Sequence, residues 1–337
     1  MFEEIKWKRT VPMSRFKRNS NAARNDSYQE LTDKIVAALE TGVKPWRQPW
    51  DPEKASGPSA PMNPTTGRRY RGINTFVLGI SPLAFATQDP RWCSYKQAAE
   101  RGWQVRRGET STKIFFYKQL EVKDDASPGG DDPTVKRFPV MRTFSVFHAS
   151  QIDGIPEFTP AGAPKTLPQR VEDAEVILRN SGVSIRIGGD VAFYSPSTDH
   201  VQLPPDAAFA SPEARAATAL HELAHASGAS HRLARDLTGR FGSALYSLEE
   251  LRAELASVFI GNEIGIPSDI PNHASYIKSW IDALKDDKRA IFRAAADAQK
   301  IADYLLAFHP TLAAASDDIP EEDDEANETT SPIAKAA

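Results

Sequence analysis

Five consecutive residues in the second half of the chain, His221-Glu222-Leu223-Ala224-His225, have the types and spacing to hold a metal ion and use it. On a helix, residues i and i+4 stand one above the other, so both imidazoles reach a single Zn²⁺. Glu222 sits about 100° round the helix, placed to act as a general base without being a ligand. Gly228 reads as the end of that helix. A third ligand is expected from Ser247-Leu248-Glu249-Glu250-Leu251-Arg252-Ala253-Glu254, where Glu250 and Glu254 share a helix face. Glu250 is taken as the ligand and Glu254 as the carboxylate that fixes a ligating histidine's tautomer. An alternative stays open, because Ser247-x-x-Glu250 is also a capping box, which would leave Glu254 as the ligand. Such a site polarises a scissile carbonyl while Glu222 takes a proton and returns it to the leaving amine. Tyr246 and His231 are candidates to stabilise the oxyanion. A purely structural zinc site is the competing reading, but it has no use for a base beside two ligands.

The elements that must position these groups can be read from periodicity. Helices are expected at Pro212–Ser227, Leu248–Ile264 and from about Tyr276 to Phe308. They follow a helix at Gln169–Ser181 and short strands at Ser184–Ile187, Val191–Tyr194 and His200–Leu203, the last an edge strand suited to aligning an extended peptide. In the first half, helices are expected at Tyr28–Leu39, near Phe76–Ile80 and at Ser94–Arg101. Strands are expected at Lys113–Leu120 and Phe138–Phe147, flanking a Gly/Asp/Pro-rich insertion that includes Asp124–Asp132. The fold class is α+β in two domains. Residues 1–27 read as a disordered basic arm, 28–157 as a nucleic-acid-binding domain, 158–168 as a proline-rich linker, 169–310 as the metal-binding domain and 311–337 as a disordered acidic tail.

Charge separates the same two halves. The 337-residue chain is 40% hydrophobic and 26% charged, an ordinary globular balance, with a net charge of -4. Residues 1–150 hold 25 Lys/Arg against 16 Asp/Glu, whereas the remainder is strongly acidic. Five of the six tryptophans fall in the basic half. Cations interleaved with aromatics suit single-stranded nucleic acid, held by phosphate contacts and base stacking. The candidates are Trp46, Arg47, Trp50, Asn63, Arg69, Tyr70, Arg71, Asn74, Trp103, Arg106, Lys113, Phe115 and Tyr117, of which Lys113, Phe115 and Tyr117 share one strand face. No helix-turn-helix or zinc-finger spacing argues for duplex reading. A lone cysteine, Cys93, no secretory signal and no apolar run of membrane-spanning length give the expectation of a cytoplasmic protein with no membrane partner.

These residues carry a resemblance. Gly42-x-x-Pro45-Trp46-x-x-Pro49-Trp50, Asn63-x-x-x-Gly67-x-x-Tyr70-Arg71-Gly72-Ile73-Asn74, and Val105-Arg106-x-Gly108-Glu109 with Gln151-Ile152-Asp153-Gly154 resemble the N-terminal domain of ArdC-type antirestriction proteins. Tyr194, Asp199, His221–His225, Arg232-Leu233 and Glu249–Glu254 resemble the zincin-like metallopeptidase domain paired with it. The resemblance implies a single-stranded DNA-binding domain joined to a gluzincin-like domain. It also implies carriage on plasmids, phages or other mobile elements, protection of incoming DNA from host restriction, and a protein substrate or restriction component as a further partner.

Overall fold

The computed structural model describes residues 26–46, 60–87, 89–123, 135–159, 165–240, 242–267 and 274–312. Most of the basic arm, Arg47, Trp50, the Asp124–Asp132 insertion and the acidic tail beyond 312 lie outside the described residues.

The chain opens with α1 (Ser27–Glu40), capped by the Asp26 carboxylate, which accepts the N–H groups of Tyr28 and Gln29. Its apolar stripe, Leu31, Ile35, Val36 and Leu39, is buried. Two short helices, α2 (Ile73–Gly79) and α3 (Pro82–Thr87), lead to β1 (Trp92–Cys93), α4 (Tyr95–Glu100) and β2 (Gln104–Val105). A long antiparallel hairpin follows, β3 (Thr112–Lys123) on β4 (Val135–His148), in register from Thr112 opposite Val146 to Lys123 opposite Val135. β1 pairs with the end of β4, and β2 with β5 (Ile152–Asp153).

The second half starts with α5 (Leu167–Asn180) and a sheet of β6 (Ser184–Ile187), β7 (Phe193–Ser195) and β8 (His200–Leu203). The strand order is β6-β8-β7, parallel on one side and antiparallel on the other. β8 is therefore the central strand, not the edge expected from sequence; both of its backbone edges are used, and among the described residues β6 and β7 are the edge strands. Helices α6 (Pro212–Ala226), α7 (Ala244–Ile264), α8 (Ala274–Asp286) and α9 (Ala290–Leu306) complete the fold. The single helix expected from Tyr276 to Phe308 is thus broken after Asp286. Asp287 accepts the backbone N–H of Arg289 on its side chain, an alternative to the helical ladder that lets α9 turn back onto α7 and α8. No helix among the described residues is long and apolar enough to cross a membrane.

The main hydrophobic core runs through both halves. Phe292 of α9 meets Tyr28 of α1 and Phe115 of β3 edge to face, at 4.6 and 5.1 Å. Thr32 of α1 donates to the Lys288 carbonyl (2.9 Å). Arg71 pairs with Asp303, and the backbone N–H of Gly72 donates to Gln299 (2.8 Å). Gly72 stands at φ +56, a conformation open to glycine, and this lets the chain turn into α2 against α9.

A smaller core surrounds Trp92, which lies 4.7 Å from the ring of His148, edge to face. His148 is buried. Its Nδ1 accepts from the Ser150 backbone, so Nε2 carries the proton and donates to the Asp89 carbonyl at 2.7 Å. Burial lowers its pKa below the usual 6.5, against the opposing pull of the Asp89 carbonyl. The unfolded chain then takes up a proton more readily than the folded one. Stability from this site is full above the unfolded value and is lost as pH falls through the folded one. The urea midpoint is expected to drop on acidification below about pH 6.5, and less steeply in His148→Gln. Equal slopes for both proteins would dismiss this assignment.

Candidate metal centre

Helix α6 begins at Ser211, whose hydroxyl accepts the Ala214 N–H, with Pro212 in the first turn. Its alanine-rich sequence lets neighbouring elements approach closely, and its final turns carry His221, Glu222 and His225, the first two buried. Helix α7 begins at Ala244, capped by Ser243 through the Tyr246 N–H. Ser247 therefore lies one turn inside the helix, and its buried hydroxyl has no hydrogen-bond partner among the described residues. The capping box that would have occupied Glu250 does not form, so Glu250 is left to face α6.

Ligand-type atoms of His221, His225 and Glu250 all lie within 4.8 Å of one another. The two Nε2 atoms are 3.2 Å apart, and the Glu250 oxygens stand 3.6 Å from His221 Nε2 and 3.5 Å from His225 Nε2. The opposite ring nitrogens meet two other carboxylates. His225 Nδ1 is 3.5 Å from Glu249, and His221 Nδ1 is 4.0 Å from Glu254. Each histidine thus presents Nε2 to a common point and backs its Nδ1 onto an acid, the arrangement that fixes a metal-binding tautomer.

The donor set fits a divalent cation. Burial works against charge on His225, but its hydrogen bonds to Glu249 and Glu250 outweigh this and raise its pKa to about 10. Burial likewise opposes charge on Glu250, yet His221 and His225 hold its pKa far below the usual carboxylate range. The carboxylates around this pocket call for positive charge there. Two buried atoms, His221 Nδ1 and Glu254 Oε2, also lack hydrogen-bond partners among the described residues. They are a donor and an acceptor facing each other.

Glu249 was not singled out by sequence reasoning, and neither was the residue that holds it. Arg235 donates to both Glu249 oxygens (3.2 and 2.7 Å), to Ser227 Oγ (2.8 Å) and to the Ala224 carbonyl (2.7 Å). Gly228 makes this possible. A β-carbon there would stand 2.9 Å from the Arg235 guanidinium and 2.9 Å from Leu237. Its role is close approach, while Ser227 occupies the cap position. Burial raises the Glu249 pKa, but hydrogen bonds with His225 and Arg235 outweigh it and lower it, so Glu249 stays an acceptor for His225.

Glu222 is buried beside the donors, and its charge is felt by both His225 and Tyr276. The Tyr246 hydroxyl lies 3.0 Å from that of Tyr276. Burial, Tyr276 and the adjacent Glu250 all raise the Tyr246 pKa, so it remains a neutral hydroxyl at the site. Tyr276 had no sequence signal. His231 is 60% exposed and pairs with Asp199 at 3.5 Å, next to the Arg232–Asp199 ion pair (2.8 and 2.9 Å). It is not gathered around the three donors.

The nucleic-acid candidates scatter. Trp46 is 3% exposed, wedged against Phe76 and Trp280, which excludes it as an open stacking platform. Phe115 is buried on Phe292. Asn74 uses both amide atoms on the Phe115 backbone (2.8 and 2.7 Å), and Asn63 ties a turn to Gln97 and Thr65. Tyr70 donates to the Trp92 carbonyl (2.9 Å). Arg69 pairs with Glu263 (3.4 Å) and Arg71 with Asp303, so both serve the joint between halves. Lys113, Phe115 and Tyr117 do share a face, but that face is turned toward α1 and α9: Lys113 pairs with Glu30 (2.7 Å) and the Tyr117 hydroxyl meets that of Tyr28 (3.2 Å). Arg106 remains at the surface, paired with Glu109 and Asp153, Tyr117 is 53% exposed, and Trp103 is half-buried against the small core around Cys93.

Comparison with known proteins agrees with this layout. Residues 25–147 match the N-terminal domain of anti-restriction factor ArdC, and residues 172–297 match a zincin-like metallopeptidase domain. The chain is 44% identical over 306 residues to the DNA primase TraC of Escherichia coli, covering 87% of this chain but 21% of that protein. A second Escherichia coli TraC is 45% identical with 27% of its length covered, so the chain spans about a quarter of these relatives. It is 41% identical to protein y4eC of Sinorhizobium fredii, over 84% of this chain and 92% of that one. Among solved structures it matches the antirestriction ArdC protein from plasmid R388 at 33% identity, covering 85% of this chain and 98% of that chain. The TM-score is 0.69 for the metal-free form and 0.67 for the Mn(II)-bound form. With both halves matched in order and the solved ArdC chain covered almost end to end, this protein belongs to the ArdC family of antirestriction proteins.

Proposed function

We propose that the protein binds single-stranded DNA through its first half and protects incoming DNA from restriction, and that its second half is a zinc-dependent peptidase-type centre. The observation that carries the second part is Glu222, a buried carboxylate beside two histidines and Glu250 that a structural metal would not require. In this reading His221, His225 and Glu250 hold the ion, which supplies Lewis acidity toward a carbonyl. Glu222 takes the proton of the attacking water and delivers it to the leaving amine, and Tyr246 donates to the developing oxyanion. β7, an edge strand of its sheet beside α6, is where an extended peptide would lie. Glu222→Gln is expected to keep metal and DNA binding while losing hydrolysis of an unstructured protein substrate. Undiminished hydrolysis would remove Glu222 from the mechanism.

For DNA, burial redirects attention to the surface of α4 and β2. Tyr95 is 48% exposed there, with Arg101, Trp103, Arg106 and Arg107 nearby in the chain. Arginines beside accessible aromatic rings suit phosphates and unstacked bases. The double variant Arg106→Glu/Arg107→Glu is expected to weaken oligo-dT binding and to reduce the slope of log affinity against log salt by about 1.4. It should lower restriction protection in parallel. An unchanged slope would move the DNA site elsewhere, and protection by a variant that no longer binds DNA would separate the two activities.

A further inference from the structure

The segment carrying Lys44 and Trp46 belongs to the first half of the chain, yet both side chains end on a carboxylate of the metal centre. Lys44 Nζ lies 2.9 Å and Trp46 Nε1 3.0 Å from the same atom, Glu254 Oε1. Glu254 is 1% exposed and Lys44 11%, so this is a buried ion pair. We infer that Lys44 and Trp46 are positioning residues of the metal centre: they pin Oε1 of Glu254 so that Oε2 takes the Nδ1–H of His221 and turns the Nε2 of that histidine toward the ion. The inference rests on His221, His225 and Glu250 being a divalent-metal site.

Three observations support it. First, both donors converge on one oxygen, while the other, Oε2, has no hydrogen-bond partner among the described residues and lies 4.0 Å from a His221 Nδ1 that also has none there. A shift of about 1 Å brings this pair to hydrogen-bond distance, and a metal on Nε2 leaves Nδ1 as the ring's only proton-bearing nitrogen. Second, the two donors do different jobs. Lys44 sets a positive charge 2.9 Å from a carboxylate that burial removes from water. Trp46 supplies direction, because its ring is fixed between Phe76 (5.9 Å) and Trp280 (5.6 Å) and its N–H cannot swing away. Third, the two histidines are supported from different sources. Glu249 behind His225 is held by Arg235 of the same half, whereas Glu254 behind His221 is held from the other half of the chain.

The test is metal affinity of the full-length chain, measured with Zn²⁺ and with Mn²⁺ by competition against a chromogenic chelator. Trp46→Phe keeps an aromatic ring in the core while deleting the N–H together with the five-membered ring that carries it; Lys44→Met keeps the stem and deletes the charge. Each is expected to weaken Zn²⁺ binding about tenfold, with thermal unfolding confirming that both variants fold. Lys44→Arg is expected to recover most of the loss. In a Glu254→Gln background neither change should weaken binding further, because both act through that carboxylate. Affinities within about twofold of wild type, with His221→Ala still losing the metal, would overturn the positioning role and leave the metal site standing. Full additivity with Glu254→Gln would overturn it as well. If the wild type binds neither ion, the metal reading itself fails and the inference falls with it.

Discussion

His225→Ala is expected to take bound divalent metal from about one ion per chain to near zero after gel filtration, with His221→Ala and Glu250→Gln behaving alike. Structural zinc sites bind with about 10–16 kcal/mol over their ligands, so losing one strong donor costs about 3 kcal/mol, on the order of a hundredfold or more in affinity. The effect is read twice. Metal content falls, and added Zn²⁺ no longer raises the thermal midpoint, because an ion that binds only the folded state stabilises it in proportion to the logarithm of its concentration over Kd. Glu222→Gln serves as the control and should keep both responses. Full retention of metal in all three ligand variants would withdraw the site, whatever the fold resemblance says.

Trp46→Ala carries the other large effect. A stacking residue on a DNA surface could be cut to alanine with little loss of stability. Here the ring is buried against Phe76 and Trp280, and its N–H satisfies Glu254. Truncation is expected to cost about 3–5 kcal/mol and to lower the melting midpoint by roughly 10 °C in the absence of any DNA. Arg106→Ala, on a surface ion pair, should shift it by less than about 2 °C. A Trp46→Ala protein as stable as wild type would place the ring outside the core.

The contrast between these two residues shows what could be read from the sequence. The cluster of His221, His225 and Glu250 is legible because its geometry is local: His221 and His225 are one turn apart on a helix, and Glu250 lies on the next long helix. Helix α1 and the β3–β4 hairpin were legible from their periodicity. What escaped depends on contacts between distant segments. Glu249 is one residue from Glu250, yet only the approach of Arg235 past Gly228 shows what it does. The place of β8 in the middle of its sheet follows from a parallel pairing with β6 that no local pattern encodes. Tyr70-Arg71-Gly72-Ile73-Asn74 looked like a basic, aromatic DNA motif. Its polar atoms instead hold α9 and β3 together, since Arg71 reaches Asp303 and Asn74 the Phe115 backbone. A cation beside an aromatic ring reads the same in sequence whether it faces solvent or a partner helix.

The core that runs unbroken from α1 and β3 into α9 has a consequence for how such a chain can be inherited. A recombination crossover in the proline-rich segment would part Phe115 from Phe292, Arg71 from Asp303 and Trp46 from Glu254, leaving each product with an open apolar face and the second half with the buried Glu254 carboxylate unpaired. Foreign partners would rarely refill those surfaces. The two halves are therefore expected to move between genomes as one cassette, and the match to the TraC proteins, which covers 87% of this chain, extends through both.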